Sequence, residues 1–468
     1  MKIGVIDDAL MQRKAGLAGP TARQWQDHGV DQSRITLIWS RVAPSPASIH
    51  KPDGFNARDN TEASYNWGEV DRAVAALNAR GIEVTLALTS PAPVWATAVP
   101  SRREPTYKPD PQEFGDFAHA VAVRYAGKAT SFILINEPNL WQWLTPQVSC
   151  SSAAVSSCKP ASPAIYRRLF RAGYDQIKAV SPGVSIWGGA LAPGGRANTD
   201  FKRISLGPLT FLRSMGCVTA SYKRDRSSSR GCSGFSPLKM DGIAVHPHTA
   251  GRPPTDPAKD PDSVTIPTIG RMTGVVDRIQ AAGGVLNGAV SSSSAGSAHL
   301  GVYIDEYGVQ TDPPDQLLGV SLSRQNSYYQ QAAEMMWKNP RVKLLAFYLW
   351  QDEPIDASSF GAGSWQSGVY FASGKAKPSA ESFDHPFWVD LAAGSKRALL
   401  WGQVRPGGAA TVTIEAKPSG SSKYSRLAVR QTNAAGYFSL TTRVTKQTSF
   451  RFTYGSPTRV SSVRTVKP

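Results

Sequence analysis

Eight short apolar runs, separated by stretches of helical period, restrict the fold of this chain more than any other feature. They lie at residues 3–7, 35–39, 84–88, 132–135, 184–187, 242–245, 302–304 and 344–349. Each is too short for a helix and too continuously apolar for a strand with one wet face, so each reads as a strand buried on both sides, the habit of parallel sheets. Between them, Val70, Val74 and Leu77 precede Gly81; Phe114, Phe117, Ala118 and Val121 precede Gly127; Ile165, Leu169 and Ile177 precede Pro182-Gly183. These are amphipathic helices with glycine or proline stops. Strand and helix in strict alternation predict an α/β fold, and eight units closing on themselves predict a (β/α)8 TIM barrel. An open doubly wound sheet that binds nucleotides would carry a glycine-rich loop after its first strand, and none is there.

Barrels of this kind place their chemistry where strands pass into the following loops. The fourth run ends in Asn136-Glu137-Pro138, where the proline cannot continue a central strand. The seventh, Gly301-Val-Tyr-Ile-Asp-Glu-Tyr-Gly308, brings Glu306 to its end. A lone buried glutamate at a strand end is more often a structural ion-pair member. Two of them, on strands four and seven, point instead to a general acid with a nucleophile if about 5 Å apart, or an acid with a base at about 6.5–9.5 Å. Apposed carboxylates resist ionising together, so one is expected to remain protonated as the acid. Seven of the 12 tryptophans (Trp39, Trp95, Trp141, Trp143, Trp187, Trp350 and Trp365) lie in or just beyond strand ends, where flat rings can stack on sugar faces. Trp141 and Trp143, just past Glu137 in a polar loop, are the leading candidates for leaving-group subsites.

With these motifs the chain resembles the retaining glycosidases of glycoside hydrolase clan A, the 4/7 superfamily. Asn136-Glu137-Pro138 is similar to the clan's acid/base motif; the resemblance implies that Glu137 protonates the leaving oxygen and later activates water, with Asn136 holding the sugar 2-hydroxyl. It implies that Glu306 is the nucleophile. The run Arg34-Ile-Thr-Leu-Ile-Trp-Ser-Arg-Val-Ala-Pro44 is similar to the second strand of families 1 and 42, which makes Arg34 the residue that steadies the nucleophile's charge. His246-Pro-His248 stands where several clan families have His-x-Tyr, so His246 is the expected substrate-site histidine and His248 departs from the pattern. A metal pair and a hydrogen-bonded core histidine are the competing readings. Trp350 matches the tryptophan that floors the reacting sugar's subsite, and Trp39, Trp95 and Tyr307 complete the expected substrate-binding set. Tyr303-Ile-Asp-Glu-Tyr-Gly308 with Asp312-Pro-Pro resembles secreted actinobacterial members near families 5 and 39, without assigning one family. The expected activity is therefore retaining β-glycoside hydrolysis by double displacement, with no cofactor and no metal. A transglycosylase would share every residue named, and a non-catalytic glycan-binding or adhesion protein would share the scaffold.

A chain of 468 residues exceeds one barrel of about 250–400 residues, which leaves room for a second unit. Beyond Pro386-Phe387-Trp388 the texture changes to short alternating runs at 410–414, 426–431, 437–441 and 449–454, so a small C-terminal β-sandwich is expected, with residues 1–388 as barrel and 389–468 as accessory domain. Of the net charge of +17, residues 391–468 carry +12, from 13 Lys and Arg against Glu415 alone. Such a module is either solubilised packing or a dock for an anionic cell-wall polymer, acidic glycan or membrane surface. The scattered cations lack interleaved stacking aromatics, which argues against nucleic acid. A monomer is expected, with a carbohydrate as its partner. Cys150, Cys158, Cys217 and Cys232 fall as two locally spaced pairs in Ser- and Gly-rich loops that suit disulfides; three pairings exist, and proximity favours Cys150 with Cys158 and Cys217 with Cys232. No Cys-x-x-Cys or Cys/His cluster suggests zinc. Disulfides imply a secreted, extracellular protein whose leader is removed ahead of residue 1. No apolar run approaches the roughly 20 residues that span a bilayer. Loops 141–163 and 252–267 leave strand C-termini and are expected to wall a cleft, whereas 283–298 enters a strand from the other end and is expected to be only a mobile connection.

Overall fold

A computed structural model of the chain describes residues 1–14, 16–152, 154–198, 200–355 and 364–468. Eight parallel strands close into a barrel: β1 (Lys2–Ile6), β2 (Gln32–Ile38), β3 (Glu83–Thr89), β4 (Ser131–Leu134), β5 (Ser185–Leu191), β6 (Gly242–Val245), β7 (Val302–Tyr307) and β8 (Val342–Tyr348). Closure is made by β1 against β8, with Ile3 opposite Leu345. Helices α1 (Ala18–Asp27), α2 (Gly68–Asn78), α3 (Pro111–Arg124), α4 (Ser162–Val180), α5 (Pro208–Met215), α6 (Ile269–Ala281), α7 (Leu322–Trp337) and α8 (Pro378–Asp384) follow the strands one by one. All eight strands anticipated from apolar runs are present.

Residue parity along each strand sorts the core into two compartments, because successive side chains point to opposite faces. Ile6, Ala87, Ile133, Trp187, Ala244, Leu344 and Ala346 fill the lumen. Ile35, Leu37, Val84, Leu86, Phe132 and Leu345 face outward and meet the apolar stripes of the helices. The lumen is packed tightly enough that Trp187 lies flat on Tyr303, ring centroids 3.8 Å apart. Gly242 is required beside that stack: a Cβ there would stand 2.3 Å from the Tyr303 ring.

The C-terminal residues form two antiparallel sheets. One contains Phe387–Leu391, Arg397–Gln403 and Tyr437–Arg443; the other contains Thr411–Pro418, Ser425–Gln431, Thr448–Tyr454, Arg459–Val460 and Arg464–Val466. Phe387, Val389 and Leu400 of the first share one apolar cluster with Val412, Ile414, Phe450 and Phe452 of the second. The first strand runs across residue 388, so the change in composition and the start of the sheet do not coincide. These sheets dock at the N-terminal end of the barrel, where Tyr437 Oη donates to Met1 O at 2.9 Å and Trp401 packs on Trp337.

Both disulfides have the local pairing, Cys150 with Cys158 and Cys217 with Cys232. The first pins a two-stranded ribbon, Val148–Cys150 with Cys158–Pro160, inside the long loop after β4. The segment before β7 is more than a connection: Val285–Asn287 pairs in parallel with Leu238–Met240. No helix among the described residues is long and apolar enough to cross a membrane.

The lumen packing makes a direct prediction. Gly242→Ala, forced against Tyr303, should lose about 1–3 kcal/mol of stability, whereas Gly183→Ala, with nothing within 4 Å of the new carbon, should stay within about 0.5 kcal/mol of the parent. Denaturant melts of the two variants check this, and equal losses would contradict the packing described.

Candidate active site

Immediately past β4 the chain makes a sharp turn in which Ile135 and Glu137 take left-handed φ values of 66° and 40°. Such conformations cost non-glycine residues of order 1–3 kcal/mol each and persist only where neighbours enforce them. Here the two adjacent strands do so: Ile135 N donates to Leu88 O at 2.7 Å and Glu137 N to Ala190 O at 2.9 Å. Asn136 N donates to Thr89 Oγ1 at 3.0 Å. The Glu137 side chain is thereby fixed at the barrel mouth.

Strand β7 delivers its carboxylates by an irregularity. Regular alternation would send Asp305 and Glu306 to opposite faces. The ladder to β8 advances from Ile304 opposite Leu345 to Tyr307 opposite Phe347, three residues on one side against two on the other. The extra residue is a bulge, a device that re-aims side chains near functional sites. As a result both carboxylates meet Arg34 of β2: its Nη1 donates to Asp305 Oδ2 at 2.9 Å, and its Nη2 is in short contact with Glu306 Oε1.

His246, just beyond β6 and fully buried, ties the two glutamates together. Its Nδ1 lies 2.9 Å from Glu137 Oε1 and 3.7 Å from Glu306 Oε2, so those oxygens are at most 6.6 Å apart, the sum of the two legs. Its Nε2 faces Asp305 Oδ2 at 3.1 Å. Arg34 Nη1 stands only 3.3 Å from the same Nε2, a close approach of two donors held by the Asp305 carboxylate between them. Burial alone would lower the His246 pKa, but Glu306 and Asp305 outweigh it and lift it to about 10. Burial likewise opposes ionisation of Glu306, and Arg34 and His246 overcome it, holding this carboxyl well below its usual range. For Arg34, the nearby Glu306 and Asp305 overcome burial and drive its pKa further up.

The remaining Glu137 oxygen, Oε2, accepts from Trp143 Nε1 at 3.1 Å. Asn136 Oδ1 accepts from Arg34 Nη1 at 3.2 Å, which leaves the Asn136 amide nitrogen at the cavity surface. His248 Nδ1 lies 3.1 Å from Gly308 N, and its Nε2 is 3.8 Å from Glu306 Oε2. Arg34, Asn136, Glu137, Trp143 and Glu306 line a cavity of about 250 Å³, whereas His246 and His248, expected at the substrate, stand behind the two glutamates and do not line it. Its walls carry Asp8, Arg13 and Arg41 on the β1–β2 side, Trp143 on the β4 side, and Tyr348 and Trp365 on the β8 side. The volume lies below the about 300–1,000 Å³ of drug-sized sites and suits one ring better than an extended chain. Among the described residues no group of three or more His, Cys, Asp or Glu is arranged to hold a metal ion.

Several aromatic residues expected at the site lie elsewhere. On β2 the even-numbered Arg34, Thr36 and Ile38 face the cavity. Trp39 has the opposite parity and is buried among Phe114 and Phe117. Trp95 is buried beside Phe55, its Nε1 donating to Pro44 O at 3.0 Å. Tyr307, one residue past Glu306, turns outward onto Tyr329. Trp350 lies beyond the end of β8 and packs against Trp25, Tyr370 and Phe383, with Nε1 bound to Gln24 Oε1 at 3.0 Å. The cavity instead receives Tyr348, whose ring meets Trp365 edge-on at 5.2 Å. Trp141 lines a separate pocket of about 300 Å³ with Tyr107 and Phe201. The sequence reading assigned no role to Asp8, Gln12, Arg13, Arg41, Asp305 or Tyr348, although Asp8 follows an apolar run just as Glu137 does.

No protein-family model matches the chain, and no curated protein matches it. Among solved structures it is similar to a family 39 glycoside hydrolase from the gut symbiont Bacteroides cellulosilyticus WH2, at a TM-score of 0.54 and 15% identity over 96% of this chain and 80% of that one. It is also similar to a glucosidase from Croceicoccus marinus, at a TM-score of 0.49 and 10% identity over 98% and 96% of the two chains. At such identities the first likeness shows a common barrel fold.

The charge on His246 has a measurable consequence. Its pKa of about 10 in the folded chain against an ordinary 6.5 means that the folded protein keeps a proton the unfolded chain has released between those values. The stabilisation is complete below pH 6.5, declines across the window and is gone above about 10. Wild-type stability should therefore fall relative to His246→Gln from pH 6.5 to 10, by no more than about 1.4 kcal/mol per pH unit. A difference between the two proteins that does not vary with pH would contradict the charged histidine.

Proposed function

We propose that this protein is a retaining β-glycosidase that hydrolyses O-glycosidic bonds by double displacement. The observation that carries the reading is the meeting of Glu137 and Glu306 at one His246 nitrogen, with their oxygens no more than 6.6 Å apart as bounded by the 2.9 and 3.7 Å legs. That bound, on one oxygen of each carboxylate, accommodates the about 5–5.5 Å separation of retaining enzymes.

In this mechanism Glu306, ionised by Arg34 and His246, attacks the anomeric carbon while Glu137 donates a proton to the departing oxygen. The glycosyl ester on Glu306 is then cleaved by a water that Glu137 deprotonates. His246 and Arg34 take up the change in charge on the two carboxylates without moving, as preorganised dipoles and cations should. Asn136 offers its amide nitrogen to a hydroxyl beside the reacting carbon, and Trp143, Tyr348 and Trp365 present flat surfaces to the ring. Substrate is a glycan or glycoside. Residues 1–388 carry the chemistry, and 389–468 form a basic accessory unit, a small β-sandwich suited to an anionic wall polymer. Two disulfides fit a secreted protein.

Assay on a panel of nitrophenyl β-glycosides is expected to find turnover that Glu306→Gln abolishes. Glu137→Ala should lose about 10²–10⁴-fold on glycosides with poor leaving groups, lose less on dinitrophenyl glycosides, and recover with added azide. Folded variants that keep full activity would sink the assignment. Glycan binding with no turnover of any glycoside or polysaccharide would favour a non-catalytic receptor instead.

A further inference from the structure

Two arginines on the cavity wall have no part in the mechanism above. Arg13 closes the short turn Ala9–Arg13 after β1, and Arg41 lies in the turn Trp39–Val42 after β2. Both side chains are exposed, and both line the cavity that contains Glu137 and Glu306. Because β1 and β2 are hydrogen-bonded neighbours, the two guanidiniums share one wall. Arg34 below them is paired with Asp305 and Glu306. Arg13 and Arg41 are not: Asp8 Oδ1 on the same wall accepts from Gln12 Nε2 at 2.7 Å and from Thr36 N at 3.0 Å, and among the described residues no carboxylate pairs with either arginine. A helix-dipole role is weak in turns of five and four residues.

The barrel order fixes which part of a substrate these cations face. β4 and β8 lie diametrically opposite, and β1 and β2 follow β8 around the ring. On the glycosidase reading, on which this inference rests, Glu137 after β4 marks the leaving-group side. The wall of β1, β2 and β8 then faces the far edge of the reacting sugar.

We infer that the sugar bound between the two carboxylates is itself acidic, a uronic acid whose carboxylate is held by Arg13 and Arg41. A guanidinium fork matches a planar carboxylate in two parallel hydrogen bonds, which an ammonium cannot do. Without Arg13 and Arg41 a uronate on this wall would face Asp8, with Arg34 already engaged by Asp305 and Glu306. The chain's net charge of +17 acts in the same direction by drawing acidic polymers toward the protein.

The test compares nitrophenyl β-D-glucuronide and β-D-galacturonide with the matching glucoside and galactoside, using the full chain and the Arg13→Gln/Arg41→Gln double variant. The expected kcat/KM ratio of acidic to neutral substrate is about tenfold or more in the wild type, and this advantage is lost in the double variant. A preference for neutral glycosides, with the ratio unchanged in the double variant, overturns the inference; if Glu306→Gln still abolishes that turnover, the glycosidase reading stands. If the wild type cleaves none of the four, NMR titration with free glucuronate and galacturonate decides. Uronate binding that weakens about tenfold in the double variant supports the acidic site while removing the enzymatic reading, and no binding overturns both. Melting temperatures of the exposed-site variants confirm that they are folded.

Discussion

The barrel mouth depends on a buried cluster of opposite charges. Arg34 is 5% exposed, and His246 and Asp305 not at all; with Glu306 they form two cations interleaved with two carboxylates. Removing any of these ions from water costs several kcal/mol, repaid only when partners and geometry are both right. Each member therefore requires the others. Arg34 and His246 keep Glu306 ionised, while Asp305 stands between the two cations and allows them within 3.3 Å of each other. The strained turn at Glu137 and the bulge at Asp305 are the backbone adjustments that bring this set together. Neither would persist on its own account.

How much of this was legible in the sequence varied with the kind of information each residue carries. Strand positions were legible, because burial on both faces leaves an uninterrupted apolar signature. Glu137 and Glu306 stood out because charge at the end of such a strand demands an explanation, and Arg34 only through the resemblance of residues 34–44 to a known second strand. Of the tryptophans, Trp143 and Trp365 line the cavity, whereas Trp39, Trp95, Trp141 and Trp350 lie elsewhere. Whether an indole faces the lumen or the helix layer is decided by one residue of parity, as for Trp39, or by where a strand stops, as for Trp350. The bulge that turns both Asp305 and Glu306 inward has no local sequence mark, so Asp305 passed as the neighbour of the important residue. Arg13 and Arg41 are two exposed cations among 52 Lys and Arg, and only the adjacency of β1 and β2 joins them.

The same architecture keeps the cavity and the C-terminal sheets apart. The cavity belongs to loops at the C-terminal ends of the strands, whereas the C-terminal sheets attach at the opposite end, through Tyr437 to the Met1 carbonyl, Trp401 to Trp337, and Arg405 Nη1 to Phe383 O at 2.7 Å. Contacts so far from Glu137 and Glu306 do not wall the cleft. The first disulfide, in contrast, braces the loop that carries Trp143, whose indole nitrogen binds Glu137 directly. Of the two ends of the molecule, one holds the cavity with Glu137 and Glu306 and the other bears most of the positive charge.

The division of labour between the two glutamates is tested most directly by trapping. The protein is incubated with dinitrophenyl 2-deoxy-2-fluoro-β-glycosides of whichever sugar it cleaves, and the labelled residue is located by peptide mass spectrometry. One sugar per chain, esterified to Glu306, is the expected result. A label on Glu137, or hydrolysis of the parent glycoside with inversion and no adduct, would contradict it.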